Sequence, residues 1–233
     1  MPLKEDLVSE VKAIFQGAWS VREGQKVPEV ESLKLGNDAV ALDATVLYAD
    51  MTGSTGMVTE KAAGKAAEIY KSYMACAGRI IRSEGGAITA YDGDRIMAIF
   101  IGDSKNSTAA RTGLKLQWAL REIVNKEFKA YYTDDAYVLR HVVGVDTSQL
   151  LVCRIGPRNN NDLVWVGRAA NYAAKLSEIP DEDSAVYITS GVYARLEAAS
   201  KFGGTEKKDM WEKRLWTSMN KMEIYRSTWQ WRV

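Results

Sequence analysis

The chain has 233 residues, 46% of them hydrophobic, which is enough to bury an ordinary core in one compact domain with extensions. Thirty-one basic residues stand against 30 acidic ones, a formal charge of +1, so no global field recruits nucleic acid or an anionic membrane. Two distant cysteines, a single histidine and no apolar run of membrane-spanning length argue against a disulfide framework, a His/Cys zinc site and a transmembrane protein. With no basic-then-apolar leader in "MPLKEDLVSEVK", the sequence predicts a protein of the reducing cytoplasm, with Cys76 and Cys153 as small buried hydrophobes.

Residues 3–18, "LKEDLVSEVKAIFQGA", space Leu7, Val11, Ile14 and Phe15 at helical intervals, with acidic residues early, as the helix dipole prefers. This predicts a peripheral amphipathic helix packing on the body or on a second subunit. A loop containing Pro28 follows, so residues 1–38 read as helix and linker and 39–233 as the main domain. That domain opens on the strand "AVALDATVLYAD". "TEKAAGKAAEIYKSYMACAGRIIRSEGG" then predicts one long helix, with Ile69, Tyr73, Cys76, Ile80 and Ile81 on a stripe and Gly85-Gly86 as the stop.

"AITAYDGDRIMAIF" is a hairpin around a tight Asp-Gly turn, with Asp92 as turn former. A helix capped by Ser or Asn in "NSTAARTGLKLQWALREIVNKEF" precedes the strand "YVLRHVVGVDTSQLLVCRIG", in which His141 reads as structural. "VGRAANYAAKLSEI" is another helix, and "AVYITSGVYARLEAA" a short strand running into a helix. The tail, "DMWEKRLWTSMNKMEIYRSTWQWRV", holds four of the seven tryptophans and predicts a closing hairpin with its aromatics in the core or at a subunit contact. The fold class is therefore α+β, a ferredoxin-like βαββαβ core with an N-terminal helix and a C-terminal β extension.

In that plan the strand ending at Asp50 and the second hairpin strand are neighbours, which brings Asp50 beside Asp94, just past the turn. Two carboxylates that close repel unless cations lie between them, and Mg²⁺ or Mn²⁺ suits such a pair while keeping positions for phosphate oxygens. The turn "MTGST" would offer backbone N–H groups from Thr52, Gly53, Ser54 and Thr55 to those phosphates. Taken singly, Asp50 as a helix cap and Asp94 as a turn shaper are the commoner roles, and it is their joint placement that favours metal binding.

At these residues the sequence resembles a class III nucleotidyl cyclase catalytic domain, over roughly residues 40–195. "YADMTGST" resembles the family's first metal motif, "GGAITAYDGDRIMAIF" its second, and "VGRAANYAAKL", with Gly167, Asn171 and Lys175, its later Gly-Asn-Arg stretch. The resemblance implies a homodimer with active sites at the interface. One subunit's Asp50, Asp94 and Met51 carbonyl would bind two divalent cations, and the other's Asn171 and Lys175 would address the ribose and the developing phosphate charge. The ribose 3′-hydroxyl attacks the α-phosphate, releasing pyrophosphate and a 3′,5′-cyclic nucleotide.

Two departures bear on the base. Purine-specific members read it with a Lys and an Asp or Cys at positions that here are Ala90 and Val164, neither of which hydrogen-bonds. An unsatisfied purine edge costs about 1 to 3 kcal/mol per group, so ATP and GTP are disfavoured. Tyr48, on the same face as Asp50, and Arg95 supply a hydroxyl and a donor fork that suit a pyrimidine. The pattern is similar to the bacterial pyrimidine cyclases of the Pycsar antiphage systems, which signal to a separate effector protein. UTP is expected over CTP, because Arg95 donates and uracil presents carbonyls. As structural readings, Tyr48 is a core aromatic and Arg95 a solvated strand residue.

Lys175 replaces the family's usual Arg and loses its bidentate fork; if it is only an exposed helix lysine, Arg168, Lys213 or Lys221 are the substitutes. Other readings are an adenylate cyclase with unusual base contacts, a silent cyclase-like dimeric module, and a cyclic dinucleotide synthase, for which the chain lacks a "GGDEF" stretch.

Overall fold

The computed structural model describes residues 3–157 and 159–233. In chain order the elements begin with α1 (Leu3–Gln16), β1 (Ser20–Glu23), β2 (Asp38–Thr52), α2 (Ser54–Glu60) and α3 (Ala63–Ser83). The hairpin β3 (Ala87–Asp92) and β4 (Arg95–Phe100) follows, then α4 (Lys105–Ala119), a π turn over Leu120–Val124 and α5 (Asn125–Tyr131). Next come β5 (Arg140–Ile155), β6 (Asp162–Val166), α6 (Arg168–Ser177), β7 (Ala185–Thr189), α7 (Ser190–Tyr193) and α8 (Ala198–Lys201). The chain closes with β8 (Phe202–Gly203) paired to β9 (Lys208–Asp209), and β10 (Glu212–Trp216) hairpinned to β11 (Met222–Ser227). Two units partition the chain: Met1–Asp43 with Gln149–Gly167, and Ala44–Ser148 with Arg168–Val233.

In the first unit β1 pairs in parallel with the start of β2, and β6 lies antiparallel to the second half of β5. The Asn37 amide donates to the carbonyls of Ile14 and Gly17 (2.9 and 2.7 Å), satisfying the C-terminal end of α1. The α1 stripe, expected to pack on the body or on a second subunit, is open in the single chain. No α1 residue is buried, and Phe15 is 85% exposed.

In the second unit seven strands run β10-β11-β7-β5-β2-β4-β3, and the last four, β5-β2-β4-β3, have the order of the expected ferredoxin-like core. Side-chain alternation gives the sheet two unlike faces. Leu47, Ala49, Ile96, Ala98, Val143 and Ile188 meet Ile69, Tyr73, Ile81 and Leu114 of α3 and α4 in the main core. The opposite face carries Tyr48, Asp50, Arg95 and Met97, and α6 lies on it over β5. There the Gly144 Cα allows the contact, because a Cβ would stand 2.1 Å from the Ala173 carbonyl oxygen.

Three local expectations are corrected. The single helix over 59–86 breaks into α2 and α3, with Lys61 extended at the break and its ammonium held by Asp135 (2.8 Å). Ser104 rather than Asn106 or Ser107 precedes α4, and its hydroxyl donates to Glu197 (2.6 Å) instead of capping. Cys76 is only half-buried, because α3 turns its core stripe through Ala77, whereas Cys153 is buried. Of the four tail tryptophans expected in the core or at a subunit contact, Trp211 and Trp216 are buried and Trp231 packs against the main core, while Trp229 is exposed.

His141 is wholly buried. Gln117 commits its amide nitrogen to the Ser184 carbonyl (2.6 Å), so its oxygen accepts from His141 Nε2 (2.8 Å), leaving Nδ1 to accept the Tyr73 hydroxyl (2.8 Å). Burial, with the Arg121 charge behind it, lowers the imidazole pKa from 6.5 to about 3. As the pH falls through 6.5 the unfolded chain therefore takes up a proton that the folded chain refuses until about 3. Stability from this residue is complete above that window and should be about 2 kcal/mol lower at pH 5 than at pH 7.5. Urea titrations at the two pH values measure it, and His141→Gln should flatten the difference; an unaltered difference would clear His141 of the effect.

Candidate active site

β2 and β4 set the site. Asp50 stands directly opposite Arg95, which stands opposite Asp92 on β3, while Tyr48 stands opposite Met97 and Met97 opposite Ala90. Residues facing each other in an antiparallel ladder share a face, so one row holds Asp50, Arg95 and Asp92 and the next holds Tyr48, Met97 and Ala90. The hairpin closes through Gly93 at φ +59° and Asp94. Asp94 is thus a residue of the turn itself rather than one just past it, and Asp92 is the last residue of β3. A two-residue loop with glycine first has no other place for it.

Asp94 is held by two hydrogen bonds. Its carbonyl accepts from the Met51 N–H (3.2 Å), its carboxylate accepts from the Ser54 hydroxyl, and Gly53, at φ +74°, turns the chain so that Ser54 can reach it. Met51 sends its side chain into the core, whereas Thr52 and Thr55 are exposed beside the turn. Burial, then the Asp94 charge, pushes the Asp50 pKa up to about 6. Burial also raises the Tyr48 phenol. Arg95 Nε lies 3.7 Å from Asp50, too far for a hydrogen bond, and its guanidinium donates instead to Glu178 at 2.9 Å.

Such a donor set fits a hard divalent cation: two oxygen-bearing acids that repel each other, tied together through the Met51 N–H on Asp94. Among the described residues no three His, Cys, Asp or Glu side chains gather to hold a metal, so the remaining ligands would come from backbone, water and phosphate.

Asn171 and Lys175 lie one turn apart on the exposed face of α6, opposite the buried Ala169, Ala173 and Leu176. Arg168 is committed: its guanidinium bonds Asp146 (3.1 Å) and the Thr147 carbonyl (2.7 Å), and Thr189 donates to the same buried carboxylate at 2.5 Å. Lys213 pairs with Glu223. Val164, in the first unit, is half-buried on β6 opposite Cys153.

No protein-family model matches the chain. It is 49% identical over its full length, and over the full length of the relative, to the uridylate cyclase of Xanthomonas perforans. It is 50% identical, again over both full lengths, to that of Burkholderia cepacia. The chain belongs to the uridylate cyclase family. Its fold is that of the class III cyclases: the crystal structure of the guanylyl cyclase Cya2 superposes with a TM-score of 0.69 at 18% identity, covering 82% of this chain and 94% of that one.

For a cyclase of this family, reading the sequence alone missed Glu178 and the Asp146–Arg168–Thr189 cluster. Nothing in "KLSEIP" marks Glu178 out, since its meeting with Arg95 depends on where α6 crosses the sheet. Asp146 did carry a signal, an acid inside the apolar strand "HVVGVDTS". Among the described residues no helix is long and apolar enough to cross a membrane.

Proposed function

We propose that this chain is a uridylate cyclase, converting UTP to 3′,5′-cyclic UMP and pyrophosphate, and that the product is an antiphage signal read by a separate effector. The observation that carries the reading is Asp50, at the end of β2, coupled in charge to Asp94 of the adjoining hairpin turn, in a chain half identical, end to end, to curated uridylate cyclases. Two Mg²⁺ or Mn²⁺ ions bound there would neutralise the triphosphate and stabilise the attacking and leaving oxygens of an in-line displacement.

The chain's own residues have the remaining work. Asp50, Asp94 and the Met51 carbonyl hold the cations, and the Thr52–Thr55 turn presents its N–H groups to phosphate. Asn171 and Lys175 of the second subunit of a homodimer orient the ribose and offset charge on the α-phosphate. The 3′-oxygen bonds to the α-phosphorus as the bond to the bridging oxygen breaks, and the 3′-proton passes to solvent. Tyr48 and Ala90, on one row around Met97, line the base position with a single hydroxyl. Arg95 meets a uracil carbonyl.

Incubation with Mn²⁺ and each of ATP, GTP, CTP and UTP, with products identified by mass spectrometry, tests the reading. Cyclic UMP as the main product supports it; cyclic CMP would keep the chemistry and correct the base assignment, and cyclic AMP would overturn the pocket argument. Tyr48→Phe should shift the product ratios, and unchanged ratios would strike Tyr48 from the readers. Lys175→Ala should lower turnover at least tenfold with the fold intact, as checked by circular dichroism. Near-normal turnover would move that role off α6, since Arg168 is already engaged by Asp146.

A further inference from the structure

Arg95 is flanked by two carboxylates on different elements: Asp50 across the β2–β4 ladder at 3.7 Å, and Glu178, immediately after α6, at 2.9 Å. A guanidinium opposite a half-buried carboxylate is a standing competitor for any cation that carboxylate is meant to hold, because an ion pair at hydrogen-bonding distance would occupy the same lone pairs. Here the competition is diverted. The short bond goes to Glu178, and the Arg95 Nε stays beyond hydrogen-bonding reach of Asp50.

We infer that Glu178 is a positioning residue that draws the Arg95 guanidinium off Asp50, leaving that carboxylate open to a divalent cation and holding the guanidinium fork at a fixed place on the same face. The inference rests on the proposed metal role of Asp50 and Asp94. It also gives α6 a second task, since the helix that carries Asn171 and Lys175 ends one residue before the one that restrains Arg95. Without Glu178, Arg95 closes on the nearest remaining acid, Asp50, and a cation must displace it to bind.

The test is a double-mutant cycle read by direct Mn²⁺ binding, using electron paramagnetic resonance of free Mn²⁺ with no nucleotide present. Glu178→Gln should bind Mn²⁺ about five- to tenfold more weakly than the unaltered protein. In an Arg95→Ala background, the same substitution should have no effect, because the competitor is gone. A positioning role and a simple loss of negative charge separate here: Glu178 is 53% exposed, and loss of its charge alone would weaken Mn²⁺ equally in both backgrounds.

Equal weakening in both backgrounds, or no weakening in Glu178→Gln, would overturn the inference. The Arg95→Ala protein itself should bind Mn²⁺ at least as tightly as the unaltered one. Because no turnover is measured, a protein that makes a different cyclic nucleotide leaves this outcome untouched. Asp50→Asn abolishing Mn²⁺ binding verifies that the signal comes from the proposed site; Mn²⁺ binding that survives it would overturn both readings together.

Discussion

Replacing Asp50 by Asn should reduce cyclic nucleotide formation at least a thousandfold while making the metal-free protein more stable. The loss of activity follows from removing one of two cation-holding carboxylates, which leaves the triphosphate's charge without its main counterweight in the transition state. The gain in stability has a separate origin. Burial and the neighbouring Asp94 push the Asp50 pKa from 3.8 to about 6, so at pH 8 the folded chain holds an ion it would rather protonate. The cost is on the order of 2 kcal/mol, which a neutral amide of the same shape does not incur.

The sign fixes the pH behaviour. Because the folded pKa is raised, the penalty is absent below about 4 and complete above about 6, so the stability gap between variant and parent should close as the pH falls through that range. Thermal unfolding at pH 8 and pH 4, with and without Mn²⁺, measures it. Mn²⁺ should raise the parent's melting temperature and leave the variant's unchanged. Retained product formation, or a variant less stable than its parent at pH 8, would contradict the assignment of Asp50 as a strained metal ligand.

Gly144→Ala should lower stability by about 3 kcal/mol, or roughly 10 °C in melting temperature, and take most of the activity with it. A methyl at this position meets backbone from above: the Ala173 carbonyl at 2.1 Å and the Ser177 nitrogen at 2.7 Å. Backbone cannot rotate aside as a side chain can, so α6 must lift off β5. Asn171 and Lys175 ride on that helix and Glu178 follows it, so the catalytic loss accompanies the structural one. Gly113→Ala is the internal comparison, since its new methyl meets side chains and no backbone, Val186 at 2.8 Å and Val143 at 3.4 Å, and should cost less. Equal melting temperatures for Gly144→Ala and the parent would show that α6 has slack on the sheet.

The βαββαβ order, the adjacency of the Asp50 strand to the hairpin and the closing tail hairpin could all be read along the chain. Each rests on local signals: period-two runs of β-branched residues, a 3.6-residue stripe in α3, and glycines where the chain reverses. The break at Lys61 was not legible, because the residue that holds it extended, Asp135, is 74 positions away. The exposure of α1 was not legible either, since an amphipathic pattern states which face is apolar and not what covers it.

The sequence by itself determined which acids could share cations, which positions lack a purine-reading side chain and which family the chain resembles, because these depend on residue identity and short spacing. Only the tertiary structure decided where the long-range partners fall. It committed Arg168 to Asp146, gave His141 to Tyr73 and Gln117, and brought Glu178 to Arg95 from 83 residues away. The physical reason is that such partnerships are fixed by how helices cross the sheet. That crossing is set by close contacts such as Gly144 on Ala173, which no local pattern in the chain encodes.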